Sequence, residues 1–425
     1  MALIVQKYGG TSVADPDRMR AVAENVQITK RHGNDVVVVV SAMGKATDNL
    51  ISLATQVSST RPGREMDMLL TTGERVSAAL LTMALADLGI AAVSFTGSQV
   101  GIITDTVHGK AKILEVKGDR VRQALADGKV AVIAGFQGVS TDKEVTTMGR
   151  GASDLTASAL AKALDADACE IYTDVTGVFT ADPRLVPTAR KQTQLSFEEM
   201  LEMAGSGSKV LALRSVEFAR NHGVALHVRS AFTWEPGTLV SDEPGVSGEK
   251  PLEGSMEDPI ISGVVTDSTE SKVTVLGVPD RPGISASLFE PLAAAGVNVD
   301  MIVQNTSTDG TTDISFTMPS TDMAVAEEIV LRVAEEIGAS GVTHDDGIAK
   351  VSLVGAGMKT SPGIAAKMFR TLADEGVNIE MISTSTIRIS IVLAAADLER
   401  AARSLHTAFG LDSGSDYAAP LPERR

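Results

Sequence analysis

The sequence predicts two kinds of architecture in one chain: an α/β half with a mostly parallel sheet and helices on both faces, followed by two smaller α+β units. Three observations carry this. Short β-branched runs alternate with longer segments of helical period from Leu3 to about Val240, the pattern of parallel strands covered on both faces. Composition shifts to Gly, Pro, Ser and acidic residues between Thr233 and Pro259, as at a domain boundary. Beyond it one motif occurs twice: Lys272-Val-Thr-Val-Leu-Gly277, Arg281-Pro282-Gly283-Ile284 and Gly296-Val-Asn298-Val-Asp300-Met301 return as Lys350-Val-Ser-Leu-Val-Gly355, Ser361-Pro362-Gly363-Ile364 and Gly376-Val-Asn378-Ile-Glu380-Met381. The chain divides on this reading into residues 1–245, 246–340 with the linker, and 341–425.

Length and composition set the bounds. At ~100–200 residues per domain, 425 residues call for two to four cores. Hydrophobic residues make up 44% and charged residues 22%, which excludes a disordered or fibrous chain. Lys plus Arg is 38 against 54 for Asp plus Glu, and the net charge of −16 disfavours nucleic acid as a partner. Cys169 stands alone and no Cys/His set has zinc-ligand spacing, so a reducing, cytoplasmic setting is expected. No apolar run approaches the ~18–20 residues that span a bilayer. The start, Met1-Ala2-Leu3-Ile4-Val5, runs straight into a strand without a leader pattern; neither a membrane nor a removed segment is expected.

Taken in order, strands are predicted at Leu3–Gln6, Asp35–Val40, Ala91–Phe95, Val130–Ala134, Glu170–Thr173 and Ala225–Arg229. A helix from Arg18 to Thr29 follows Asp15-Pro16, a capping carboxylate and a proline suited to the first turn. Ser153 to Leu164 forms a second helix with an apolar stripe. In the last third each repeat reads strand, Pro-Gly at a helix start, helix, strand, strand, helix, a split βαβ unit. Two copies are too few for a solenoid, but such a pair can merge sheets and bury a shared crevice.

Several loops carry residue types suited to anions. In Lys7-Tyr8-Gly9-Gly10-Thr11-Ser12 a strand delivers a lysine into a Gly-Gly turn, either a phosphate cradle with free backbone N–H groups or an ordinary turn with an exposed lysine. It is not a Walker A motif. Ser41-Ala42-Met43-Gly44 ends the next strand, and open α/β sheets bind ligands at that edge. In Thr71-Thr72-Gly73-Glu74-Arg75, Glu74 either caps a helix or pairs with the ammonium group of an amino acid. Phe95-Thr96-Gly97-Ser98-Gln99 is a further small-residue turn. Gly149-Arg150-Gly151-Ala152-Ser153-Asp154 combines an arginine fork, free amides and a hydroxyl at a helix start, which suits a carboxylate or phosphoryl group, and a carboxylate there could order the lysine. Tyr172-Thr173-Asp174 through Thr180-Ala-Asp182-Pro-Arg184 is a turn-rich loop that could hold a nucleotide, and Lys209 adds a cation.

In this order, Lys7-Tyr-Gly-Gly-Thr-Ser, Ser41-Ala-Met-Gly, Thr72-Gly-Glu-Arg75, Phe95-Thr-Gly-Ser-Gln99, Gly149-Arg-Gly-x-Ser-Asp154, Tyr172-Thr-Asp-Val and Thr180-Ala-Asp-Pro-Arg184 resemble the bacterial aspartate kinases that carry two C-terminal ACT modules. The resemblance spans nearly the whole chain. It implies an amino-acid-kinase fold that passes the γ-phosphoryl group of ATP to the β-carboxylate of L-aspartate, with Mg²⁺ on the phosphates and no protein-held metal. By the same resemblance Lys7 neutralises the phosphoryl, Gly9 and Gly10 donate to it, and Asp154 organises the cations. Thr47, Glu74, Arg150 and Ser153 hold aspartate, while Ser41, Thr173, Asp174, Phe179, Asp182, Arg184 and Lys209 complete the ATP side. The ACT pair (ferredoxin-like βαββαβ units) implies feedback by lysine, threonine or both, with Asp280, Gln304 and Asn305 as effector contacts in the first unit and Asn378, Ile379, Ser383, Thr384 and Ser385 in the second. The structural alternative for each repeat is a helix start with Met301 or Met381 filling a core. A homo-oligomer, at least a dimer, is expected through the ACT units, and Met256 stands where some relatives start a separate regulatory subunit.

The chain departs from the family pattern at four places near the site: Ala46 before Thr47, Ala152 where glycine is usual, Leu155 for threonine and Thr176 for aspartate. If position 152 requires a positive φ, alanine there costs about 1 kcal/mol. Ile284 and Thr386 replace carboxylates in the regulatory half, which predicts weakened or altered feedback by a cationic effector. Two other readings follow from these departures: a kinase for an aspartate analogue in a specialised pathway, and a catalytically weak amino-acid sensor.

Overall fold

The computed structural model describes residues 2–149, 151–242, 261–305, 310–356, 358, 361 and 363–412. Arg150, Pro362 and Met256, singled out above, lie outside them. An eight-stranded sheet organises the first half, in the order Gln194–Leu195, Thr238–Val240, Leu226–Ser230, Ala168–Thr173, Leu3–Tyr8, Asp35–Val40, Val130–Ala134, Ala92–Phe95. All neighbours are parallel except Leu226–Ser230 with Thr238–Val240. That last strand falls in the segment whose composition reads as linker: Thr238–Val240 closes the sheet of the first half.

The alternation of side chains along each strand splits the sheet into two cores. Val5, Val37, Val39, Ala131 and Ile133 face the helices Ala152–Ala163, Phe197–Gly205 and Leu213–His222. Val36, Val38, Val40, Val130 and Val132 face Pro16–Arg31 and Thr72–Asp87. The unbroken Val36–Val40 run is therefore what burial on both faces requires. Asp15 caps the first helix by accepting from the Arg18 amide at 2.9 Å, with Pro16 in its first turn, as the sequence signals. A small second sheet, Ile113–Val116, Ile102–Thr104, Gln137–Ser140 and Val145–Thr147, carries the turn before Gly149.

The repeats fold as two four-stranded antiparallel sheets with helices on one face, and their strands are exchanged along the chain. Ile302–Gln304, Thr311–Pro319, Glu270–Pro279 and Gly341–Asp345 form one sheet; Ile261–Asp267, Ile348–Gly355, Arg388–Ala394 and Met381–Thr384 form the other. A division at 340/341 thus cuts off the last strand of the first unit, and the strand that precedes the first unit completes the second. Ile261–Asp267 is antiparallel to Ile348–Gly355, pairing Val264 with Leu353. The first unit is inserted in the second.

The two units meet through equivalent residues of the repeat. Met301 and Met381 pack with Ile348 and Val392 in a small shared core. Lys350 pairs with Asp300, and Lys272 pairs with Glu380, so each unit gives a lysine to the other's acidic residue. Met301 and Met381 therefore do fill a core, the one between the units. Among the described residues no helix is long and apolar enough to cross a membrane.

Candidate active site

Parallel register brings Tyr8, Val40, Ala134 and Tyr172 side by side at the carboxyl ends of four strands. The loops that follow are stitched together at that edge. Ser41 N–H donates to the Tyr8 carbonyl (3.1 Å), Gly135 N–H to Val40 (3.0 Å), Gly9 N–H to Tyr172 (3.2 Å) and Ala231 N–H to Thr173 (2.9 Å). The ligand edge expected of an open α/β sheet is therefore a continuous, hydrogen-bonded rim.

On that rim the Lys7 ammonium lies 2.6 Å from Asp154 Oδ1, both side chains nearly buried at 12% and 8% exposure. Lys7 comes from the central strand and Asp154 from the first turn of the helix Ala152–Ala163. The second carboxylate oxygen accepts the Ala212 amide at 3.3 Å, which fixes the aspartate in place. Arg214 braces the same turn, donating to the carbonyls of Met148 (2.5 Å) and Ala111 (2.9 Å). Ser153 is buried against the rim, where a Cβ on Gly135 would meet its Oγ at 2.8 Å.

Two expectations change here. Gly9 is expected to donate to the phosphoryl group, but its N–H is engaged by the Tyr172 carbonyl; the Gly10 carbonyl accepts the Gly44 amide at 3.0 Å, a contact that leaves the expectation for the Gly10 N–H as it was. The strain conditional on Ala152 is absent: Gly149 (φ +88°) and Gly151 (φ +75°) supply the left-handed turns, while Ala152 begins the helix and is not among the positive-φ residues. Leu155 is buried in the core on the same helix, against the apolar side of the sheet.

Glu74 occupies the first turn of the helix Thr72–Asp87 and is 4% exposed. Its Oε1 accepts the Ala42 amide at 3.2 Å, tying the helix to the Ser41–Gly44 loop. Its Oε2 is buried with no partner among the described residues. Burial pushes the carboxyl up to about 7, against the lowering effect of its backbone hydrogen bonds. A buried carboxylate with a vacant oxygen is a strong acceptor for an ammonium group. Thr47 lies half-buried on the helix Ala46–Val57, which contains no fully buried residue.

The nucleotide candidates also converge. Thr173 Oγ1 donates to Asp174 at 3.0 Å, and Asp182 holds Arg184 through contacts of 2.6 to 3.2 Å. Those hydrogen bonds from Arg184 keep the Asp182 carboxyl below its usual range, and Lys209 contributes through its charge. Arg184 in turn feels Asp174. Phe179 is half-buried, its backbone bridged to that of Lys191.

In the first repeat unit Asp280 and Gln304 line an open groove of about 530 Å³ with Arg281 through Ser285; Ser285 Oγ donates to Gln304 at 3.1 Å. Asn305 uses its carbonyl for Thr312. In the second unit Asn378 and Thr384 are exposed, and Ile379 and Ser383 half-buried. Ser385 is engaged elsewhere: its hydroxyl donates to Glu202 of the first half at 3.0 Å.

Sequence reasoning missed three features. Ser12, two residues past the Gly-Gly turn, is fully buried with an unpartnered hydroxyl among the described residues. Phe136 takes φ +70°, unusual for an aromatic residue, with its N–H held by Thr156 Oγ1 at 3.1 Å. Arg214 braces the turn from outside. The available signal for the second was Ala134-Gly135, the same strand-then-glycine ending as Tyr8-Gly9.

The chain matches the amino acid kinase family over residues 2–230 and ACT domains over 272–338 and 351–409. It is 56% identical to the aspartokinase of Mycolicibacterium smegmatis and 54% identical to that of Corynebacterium glutamicum, in each case across 98% of both chains. Among solved structures it resembles the aspartate kinase of Synechocystis, at 47% identity and TM-score 0.53 over 99% of this chain and 71% of that one. It also shares the fold of Escherichia coli aspartokinase III in its complex with aspartate and ADP, with 24% identity and TM-score 0.79 over 96% of this chain and 100% of that one. With its lysine pinned to a carboxylate on the rim of a kinase sheet and two ACT units behind it, the chain belongs to the aspartokinase family.

Proposed function

We propose that Lys7, Asp154, Glu74 and Ser153 form the centre at which the γ-phosphoryl group of ATP is transferred to the β-carboxylate of L-aspartate. The observation that carries this is the pairing of a clamped ammonium with a buried carboxylate whose second oxygen is vacant, both on one rim. Aspartate's ammonium group meets Glu74 Oε2; its carboxylates lie toward Ser153 and Thr47. The nucleotide lies along Thr173, Asp174, Phe179, Asp182, Arg184 and Lys209.

A β-carboxylate oxygen forms the new bond to the γ-phosphorus as the bond to the bridging oxygen breaks, and the electron pair leaves on ADP. No proton has to be removed from the nucleophile, so positioning and charge stabilisation do the chemistry. Lys7 faces the negative charge of the transferring group. Asp154 keeps the ammonium from swinging away. Mg²⁺ on the phosphates would neutralise part of their charge when bound; Asp174, exposed on that side while Asp182 is taken up by Arg184, is the hard oxygen donor that would suit such an ion.

The test is hydroxylamine trapping with ATP, Mg²⁺ and L-aspartate. Aspartyl hydroxamate from the wild type is the expected result, and none above the Lys7→Ala blank from folded protein overturns the assignment. Running glutamate and 3-substituted aspartates beside it decides whether Ala46 and Leu155 have changed the acceptor.

Glu74 makes a pH prediction. Its carboxyl titrates near 7 in the free enzyme, and only the ionised form pairs with the substrate ammonium. kcat/KM for aspartate should therefore climb about tenfold per pH unit below 7 and level off above it. The kcat limb should lie lower, because the bound ammonium favours the ionised form. Glu74→Gln should abolish the limb and raise KM; an unchanged limb would assign it to another group.

For regulation, we propose that lysine and/or threonine bind at the Asp280–Gln304 groove and its counterpart in the second unit. Escherichia coli aspartokinase III has been solved with lysine and aspartate. Ile302–Gln304 and Met381–Thr384 are edge strands with exposed Ile302 and Ile382, which supports association of at least two chains through these units.

A further inference from the structure

The geometry points to His406, on the last helix of the second regulatory unit, as a positioning residue for the nucleotide loop. This rests on the assignment of Asp182 and Arg184 to the nucleotide.

The segment Thr180–Arg190 belongs by sequence to the kinase half, yet its apolar side chains do not enter the kinase core. Ala181 and Val186, both buried, pack with Val264, Leu353, Ala402 and Leu405 of the second unit. Its polar groups go the same way. Thr180 carbonyl accepts the Val264 amide at 2.7 Å. Arg403 donates to the Leu185 carbonyl at 2.7 Å, Arg190 to the Leu411 carbonyl at 2.6 Å, and Thr188 to Asp412 at 2.5 Å. A loop held by one partner through both its apolar side chains and its hydrogen bonds takes its position from that partner.

His406 is the buried centre of this clamp, at 0% exposure. Its Nδ1 lies 2.7 Å from Asp412 Oδ1 and its Nε2 lies 2.8 Å from Thr180 Oγ1. With Nδ1–H donating to Asp412, Nε2 accepts the Thr180 hydroxyl, whose oxygen in turn accepts the Arg190 amide at 2.9 Å. Thr180 is two residues from Asp182, so the imidazole fixes the base of the turn that would grip the nucleotide. It touches neither substrate. Its effect should fall on ATP alone.

The experiment is steady-state kinetics and ADP titration calorimetry on the full chain, comparing His406→Ala, His406→Gln and Thr180→Val with wild type. His406→Ala and Thr180→Val should each raise KM for ATP and Kd for ADP by about five- to tenfold, the effect of one buried hydrogen bond. KM for aspartate and kcat should stay within about twofold. Glutamine, whose Oε1 can still accept from Thr180, should recover part of the loss. Thr180→Val keeps the shape of the loop and removes the same bond from the kinase side, so it decides the matter if His406→Ala does not fold. Unchanged ATP constants in folded variants, or equal losses in both substrates and kcat, would overturn the role. Asp182→Ala run alongside separates the two levels. If it weakens ATP while the clamp variants do not, positioning alone fails; if none of them weakens ATP, the nucleotide assignment fails with it.

Discussion

Lys7→Ala should lower kcat by about 10²–10³ or more, the loss seen when one preorganised group facing developing charge is removed, while the protein stays folded and still binds aspartate. The reason is where the ammonium sits. It is 12% exposed and 2.6 Å from Asp154, so it is held before substrate arrives and needs no reorganisation during transfer. Asp154→Asn should give a smaller loss, about tenfold to a hundredfold, because asparagine keeps the shape but drops the charge that fixes the ammonium. The double variant should be scarcely worse than Lys7→Ala, since both side chains act as one unit and their losses do not add. Single-turnover hydroxamate formation checks this directly. Additive losses would show that Asp154 acts on its own, through Ala212 and the helix start.

Much of this was legible because the relevant signals are local. A valine run between turn residues reads as a strand buried on both faces, and Asp35–Val40 and Val130–Ala134 occur with the expected ends. The Gly-Gly turn marks where Leu3–Tyr8 releases the chain and the Gly-x-Gly turn where the helix carrying Asp154 begins, so residue types alone suggest a carboxylate that could order Lys7, and the family resemblance gives the pair its role. What stayed hidden is set by pairing between distant segments. Ile261–Asp267 belongs to the second unit because of its register with Ile348–Gly355, and nothing in its own seven residues names that partner. The same holds for Thr180–Arg190: the turn signals show a loop but not the surface it lies on. Glu74's high pKa likewise depends on a burial that helix period does not give, since a first-turn glutamate is ordinarily an exposed capping residue.

Lys350→Met should destabilise the regulatory half by about 3–5 kcal/mol, the cost of removing one partner from a buried ion pair. Lys350 is fully buried and reaches Glu270 at 2.5 Å and Asp300 as well, with Glu270 itself only 10% exposed. Burial alone would lower the ammonium's pKa, and the two carboxylates outweigh it and raise it. Taking the lysine away leaves Glu270 in a low-dielectric interior with no counter-charge. The repeat provides an internal control. Lys272 makes the equivalent contact with Glu380, but both partners are over one-fifth exposed, so Lys272→Met should cost about 1 kcal/mol or less. Adding Glu270→Gln to Lys350→Met should restore most of the loss, because the orphaned charge is then gone. Urea unfolding followed by a probe in the regulatory half measures all three, with that transition treated separately from the kinase half's. Equal effects at Lys350 and Lys272 would mean that the interface between the units is open to water, and would shift the weight of holding them together to Met301 and Met381.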